Sequence, residues 1–317
     1  MEWAKSLNRR STVIKVFIGL ILLYVSVIAL RGLMTSFSSA KRDRVTMVFY
    51  GDAPVVLSLG LTDNVSYILT FDNSYKVKAV GGYGEYKIGS LEKLASLTAD
   101  KDLLRRTFSS VISSYVDYYF TPSASKVYFD TTEKESFTAS KSHFMLAVLN
   151  PTYMTNANLF ERLFMFINLL KRRNLDFIEL KTKFVSREKG STVFDEDDFF
   201  HFYQGFFYEK IIRDENEEVK IVYKNSYSAA KNLSRILEGE GMRVVDISKE
   251  AEGPGRCQLF IDPEAMRENK GLFYNKKILP YSAEFITSVY TCRVAIKTID
   301  DATIKIVLGD ELEKKWR

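Results

Sequence analysis

Short runs of apolar residues separated by turn residues begin at Val45. The segments VTMVFY (45–50), APVVLSLGL (53–61), NVSYILTF (64–71) and SYKVKAV (74–80) have the pattern of strands joined by turns. VGGYGEYKIG (80–89) then breaks the pattern at Gly81, Gly82 and Gly84. The order GGxG is neither GxGxxG nor GxxxxGK[ST], so it reads as a turn or a close packing site and not as a nucleotide loop. The period then changes to a helical one. LEKLASL (91–97) predicts one helix. Leu103, Leu104, Phe108, Val111, Ile112 and Tyr115 predict a longer one over 101–119, stopped by Pro122. A third helix is predicted over 159–172, with Phe160, Leu163, Phe164, Ile167 and Leu170 as its buried face.

Further along, DEDDFFHFYQGFFYEKII (195–212) opens on four carboxylates, Asp195 to Asp198. Acidic residues there suit a helix entrance, and adjacent carboxylates do not by themselves enclose a metal. Phe199, Phe202, Phe206 and Phe207 are expected to anchor a core or an interdomain contact, with His201 in a structural role. From Val219 a strand VKIVY, a helix SAAKNLSRILEGEG and a strand MRVVDI follow in α/β order. RCQLFID, a helix ILPYSAEFITSVY, and strands over Cys292–Lys297 and Ala302–Leu308 complete the unit.

One tract stands apart. Val16–Leu30, VFIGLILLYVSVIAL, carries no charge, and its extension through Arg31 to Met34 approaches the roughly 20 residues of a bilayer-spanning helix. The expected layout is a cytoplasmic tail (1–15), a single-pass transmembrane signal-anchor (16–34), a linker (35–44) and a large extracytoplasmic remainder, placing the protein in the cell membrane. A cleaved signal peptide is the rival, with SFSSA (36–40) as its imperfect cleavage site.

Composition sharpens this layout. The 317 residues are 46% hydrophobic and 27% charged, which excludes a disordered chain and a polytopic membrane protein. The net charge of +5 is concentrated at the start: residues 1–44 hold eight basic and two acidic residues, leaving the rest at −1. Basic residues gathered around an apolar tract do not make a nucleic-acid surface. Two cysteines and two histidines are too few for a cysteine zinc site or histidine-rich metal chemistry. GxSxG, HExxH, CxxC and Walker A sequences are absent. Cys257 and Cys292 fall in neighbouring predicted segments, where a disulfide and two buried thiols both remain open.

Two stretches carry a family resemblance. VKIVYKNSYSAAKNLSRILEGEGMRVVDI, SAEFITSV and TIKIVLGDE resemble the C-terminal domain of LytR-type cell-envelope proteins, with Asn225 in the first turn, Gly241 at the helix exit and Gly309–Asp310 closing the unit. Upstream, VVLSLGLTDNVSYILTFDNSYKV resembles the paired early strands of a LytR-CpsA-Psr domain. The resemblance implies an α/β protein: the transmembrane helix, a diverged LytR-CpsA-Psr-like domain (45–185), an aromatic-rich connector (186–218) and a small C-terminal α/β domain (219–317). It also implies transfer of a glycopolymer from a polyprenyl-pyrophosphate carrier to the cell wall. Active members carry S-I-P-R-D after the second strand. Here Asn73 stands at the arginine position and Ser74 at the aspartate position, and asparagine cannot supply a charged bidentate fork.

The expected function is therefore non-catalytic binding of an envelope polymer, carrier lipid or envelope protein, with no cofactor. The alternative is a divergent glycopolymer phosphotransferase. Its phosphate contacts would come from Arg105, Arg106, Lys171, Arg172 and Arg173, and Asp72 would hold a divalent metal such as magnesium.

Overall fold

The computed structural model describes residues 42–51, 53–122, 140–188, 190–270 and 275–317, together with Lys15, Phe17, Gly19, Leu20, Leu23, Tyr24, Ser26 and Val27. Those eight are helical and exposed, and the rest of the 16–34 tract lies outside the described residues. Among the described residues no helix is long and apolar enough to cross a membrane.

The elements run in chain order β1 (Arg44–Phe49), β2 (Val55–Gly60), β3 (Ser66–Thr70), β4 (Lys76–Ala79), β5 (Gly84–Lys87), α1 (Leu91–Thr98) and α2 (Leu103–Ile112). Next come β6 (Tyr118–Pro122), α3 (Lys141–Leu149), β7 (Tyr153–Thr155), α4 (Leu159–Lys171), β8 (Phe177–Leu180), β9 (Val185–Glu188), β10 (Ser191–Phe194) and α5 (Glu196–Tyr203). A mixed six-stranded sheet of order β7-β6-β1-β2-β3-β8 has β1 and β2 at its centre. Every residue of these two strands is buried, so both faces are covered. Alternation sends Met47, Phe49, Leu57 and Leu59 to one side, against Phe120, Phe144 of α3, and Met165 and Leu169 of α4. Val48, Val56 and Leu69 go to the other side, against α1, α2, and Val77 and Phe194 of a second sheet ordered β5-β4-β10-β9.

The second half contains α6 (Lys210–Glu215), β11 (Glu218–Tyr223), α7 (Tyr227–Gly239), β12 (Arg243–Lys249), β13 (Gln258–Ile261), β14 (Arg267–Lys270) and β15 (Asn275–Ile278). It closes with α8 (Tyr281–Tyr290), β16 (Arg293–Ile296), β17 (Ile304–Val307) and α9 (Asp310–Trp316). The sheet order is β12-β11-β17-β13-β16, with Leu233, Ile236 and Leu237 of α7 and Ile286 of α8 packed into its core. Cys257 and Cys292 form a disulfide with Cα atoms 4.6 Å apart, bracing the starts of the paired strands β13 and β16.

Several expectations change. The helix predicted over 101–119 ends at Ile112: Ser113 takes a left-handed φ of 52°, and Tyr118–Pro122 becomes β6, parallel to β1. Asn158 and Glu161 form a capping box that starts α4. The helix nevertheless buries Met165 and Leu169, while Leu163 (47%), Ile167 (43%) and Leu170 (56%) of the expected buried face are exposed. Phe202 is 63% exposed, although its ring meets Phe184. Within the expected connector, β10 pairs with β4 and with β9, extending the second sheet. Gly81 and Gly82 adopt φ of 91° and 78°, and their N–H groups donate to the Arg317 carbonyl, 2.9 and 3.0 Å away. The two glycines thus form a turn against the chain's last residue.

Candidate functional site

Two residues before β1, Arg42 enters a seam between the two halves. Its Nε donates to Glu209 Oε1 at 2.8 Å, its Nη1 pairs with Asp117, and its Nη2 lies 3.6 Å from Glu240 Oε2. The acceptors are held in turn. Thr46 N donates to Asp117 Oδ2 (2.8 Å) and Asp43 N to Glu209 Oε2 (2.6 Å). Ser114 Oγ and Tyr115 N both donate to Glu240 Oε1 at 2.7 Å. The Arg42 guanidinium also lies 5.6 Å from the Phe285 ring centroid.

Burial pushes the Glu240 carboxyl up to about 8, against the pull of Arg42 and with Glu209 adding to the rise. Burial likewise raises Asp117 and Glu209, with Arg42 opposing in both. Burial alone would lower Arg42, but Asp117, Glu209 and Glu240 together hold it above its ordinary value. Arg42 thus faces three carboxyls whose hold on a proton is strengthened by burial and weakened by its own charge. The mark of this hub in the sequence is the RDR triplet 42–44, whose last arginine opens β1.

The sequence-predicted basic residues fall into three places. Arg105 contacts the Tyr115 hydroxyl and, at 3.3 Å, Asp102 Oδ1. Its neighbour Arg106 turns to Asp100. Arg172 is buried and donates to the Gly60 carbonyl and Asn64 Oδ1, tying the exit of α4 to the β2–β3 turn. Lys171 and Arg173 are exposed on either side of it. Asp72 Oδ1 accepts from Ser74 N at 2.8 Å, closing its own turn. Arg105 and Arg106 sit side by side but address different acceptors, and neither shares a partner with Arg172. Among the described residues no group of three His, Cys, Asp or Glu side chains is placed to hold a metal ion.

Two grooves of about 510 Å³ each open on the surface. One lies beside α3: Ile68, Met145 and Phe177 give it apolar walls, and Ser140, Ser142, Asn174 and Lys141 a polar rim. Lys141 Nζ is steered there by the Leu170 carbonyl, 3.0 Å away, and by that of Arg172. The other lies on the open face of the second half's sheet, where Lys220, Lys297 and Lys305 face Glu250, Glu252, Asp300 and Asp301. That face largely neutralises itself: Lys220 pairs with Asp246 (3.0 Å) and Asp301 (3.2 Å), and Lys305 with Glu250 (2.9 Å).

No protein-family model matches the chain, and no curated protein matches it. Among solved structures it is similar to TagT bound to LIIa-WTA, at 10% identity over 51% of this chain and 89% of that one, with a TM-score of 0.37. It is similar to Bacillus subtilis TagV at 11% identity, over 52% of this chain and 98% of that one, TM-score 0.36. A third is the LytR-CPS2A-Psr family protein YwtF (TagT) with bound octaprenyl pyrophosphate lipid, at 13% identity, over 50% of this chain and 86% of that one, TM-score 0.33. The chain's structural neighbours are thus LytR-CPS2A-Psr family proteins, matched over about half of its length.

Proposed function

We propose that the chain is a membrane-anchored protein of the cell envelope that holds an amphiphilic envelope ligand without transferring it. The ligand is a polyprenyl carrier lipid or the glycopolymer that such a lipid carries. The apolar tract 16–34 is the anchor, with the short N-terminus in the cytoplasm and the folded part outside, where it also meets cell-wall polymer or an envelope protein partner.

The observation that supports this reading is where the guanidinium groups point. Phosphoryl transfer needs cations aimed at the charge that develops on the ligand. Arg42, Arg105, Arg106 and Arg172 are each turned onto the protein's own acceptors. The groove beside α3 joins apolar walls to a hydroxyl, amide and ammonium rim, a surface suited to an amphiphile.

The test is a titration of the full chain in nanodiscs with geranylgeranyl pyrophosphate, run beside a transfer assay with a lipid-linked glycan, with and without magnesium. Saturable binding without glycan transfer is the expected result. Phe177→Ala should weaken binding about tenfold through lost apolar contact, and Asn174→Ala on the exposed rim should weaken it without unfolding. Metal-dependent transfer would end the non-catalytic reading in favour of the divergent phosphotransferase. Unchanged affinity in both variants would remove the groove from the account.

A further inference from the structure

α4 is apolar on two opposite sides. Met165 and Leu169 face the sheet and are buried, whereas Leu159 (75% exposed), Leu163, Ile167 and Leu170 face away. Spacings of four, four and three residues place those four on one stripe along the helix. The neighbouring α3 adds Leu146 (69%) and Leu149 (45%) to the exposed side. A soluble surface helix ordinarily turns charged and polar residues to water on the face opposite its core stripe. The helix pair instead presents aliphatic side chains there.

The two helices form an antiparallel hairpin. Lys141 at the start of α3 reaches the Leu170 carbonyl at the end of α4, and Arg162 near the start of α4 reaches the Val148 carbonyl at 2.6 Å. Their charge is lopsided. Residues 140–176 hold Lys141, Arg162, Lys171, Arg172 and Arg173 against Glu161 and Asp176. Both carboxylates are engaged in local caps: Asn158 N donates to Glu161 and Arg173 N to Asp176, each at 2.7 Å. Lys171 and Arg173 are exposed, so the end of the hairpin where α3 begins and α4 ends carries exposed cations beside the aliphatic stripe.

We propose that the outer face of the α3–α4 hairpin rests on an anionic lipid surface, its aliphatic stripe sunk among the acyl chains and its cationic end against the headgroups. Aliphatic stripe and cations together match an interfacial membrane helix, and an apolar protein groove would not call for the excess of cations. The proposal rests on the anchor reading for proximity alone: a linker of about ten residues spans at most about 35 Å, which holds the folded part close to the bilayer. The groove rimmed by Lys141 and Asn174 lies at the same cationic end, so docking would set its mouth near the headgroups.

Nitroxide labels test the proposal on the full chain in liposomes. Leu163→Cys and Leu170→Cys report on the hairpin, Ala251→Cys on an exposed loop of the second half, and Tyr24→Cys on the apolar tract. The native cysteines are paired and do not take the label. In vesicles of phosphatidylcholine with phosphatidylglycerol, the ratio of oxygen to nickel-chelate accessibility at 163 and 170 should rise several-fold over that at 251. It should fall back when phosphatidylglycerol is left out. Labels at 163 and 170 as wet as that at 251 would overturn the docking, and equal immersion in both vesicles would overturn the role of the cations. Shielding from both reagents would mean a protein–protein interface and would also overturn it. A dry Tyr24→Cys label with wet hairpin labels leaves the anchor standing while docking falls. A wet Tyr24→Cys label with dry hairpin labels does the reverse.

Discussion

Replacing Glu240 by glutamine removes a buried proton site at the centre of the seam. In the folded chain this carboxyl accepts from Ser114 and Tyr115, and burial pushes it up to about 8. In the unfolded chain a glutamate titrates near ~4.3. Between those values the folded state keeps a proton that the unfolded state has released. This carboxyl's contribution to stability is therefore complete below about 4.3 and falls by about 1.4 kcal/mol for each unit of rising pH, until the folded carboxyl ionises. Across three pH units, from about 5 to about 8, the loss is roughly 4 kcal/mol.

Glu240→Gln keeps an acceptor for Ser114 and Tyr115, leaves Asp117 and Glu209 to balance Arg42, and has no proton to lose. Urea denaturation of the full chain in detergent micelles, followed by circular dichroism from about pH 5 to about pH 9, measures the difference between variant and parent. Asp117 and Glu209 are present in both chains, so the difference reads what Glu240 contributes together with its coupling to Glu209. The difference should move in the variant's favour by roughly 4 kcal/mol between about pH 5 and about pH 8 and then level off. A difference that stays flat, or moves the other way, would mean that Glu240 is ionised throughout as a true ion-pair partner of Arg42, and the seam's electrostatics would need redrawing.

Gly239→Ala makes the opposite use of the same seam. Helix propensity favours alanine by about 1 kcal/mol, but the added Cβ would stand 1.8 Å from the Ser113 carbonyl oxygen, so α2 and α7 must part. A net loss of about 2 kcal/mol is expected from overpacking, and an unchanged or higher Tm would refute the close approach. Arg172→Ala should cost about 2–3 kcal/mol by leaving the Gly60 carbonyl without its charged donor while sparing affinity for geranylgeranyl pyrophosphate. Weakened binding at unchanged stability would return Arg172 to the ligand site. Reducing Cys257–Cys292, which closes a loop of sequence separation 35, should cost about 4 kcal/mol by urea denaturation. Alkylation mass shifts before and after reduction check that the bond is present.

What the sequence made legible were the elements whose instructions are local. β1 to β4 and the alternating units after Val219 follow from apolar periodicity and turn residues. The over-long second helix shows the limit. Val111, Ile112 and Tyr115 continue a helical period, yet Ser114 and Tyr115 give their donors to Glu240, 125 or more residues away, and the chain leaves the helix at Ser113. On α4 periodicity cannot choose a face because apolar residues surround the axis. Contact with Phe144 and the sheet selects Met165 and Leu169. The pairing of Arg42 was hidden for the same reason as that of Glu240: its partners Asp117 and Glu209 lie 75 and 167 residues away.

Basic residues are a case where counting and placing lead to different functions. By type and number, Arg105, Arg106, Lys171, Arg172 and Arg173 resemble an anion site waiting for a pyrophosphate. A guanidinium whose donors already meet Asp100, Asp102, Tyr115 or a backbone carbonyl can bind a phosphate only by giving those contacts up. That exchange forfeits stability at the moment of binding, so such residues hold the fold together before they can act on a ligand. Lys171 and Arg173 are exposed and owe no such exchange, and they sit where an apolar stripe ends. The charge left over after folding therefore lies beside lipid-compatible surface and away from the buried seam. This directs the search for function outward, to the α3–α4 face and the groove it rims.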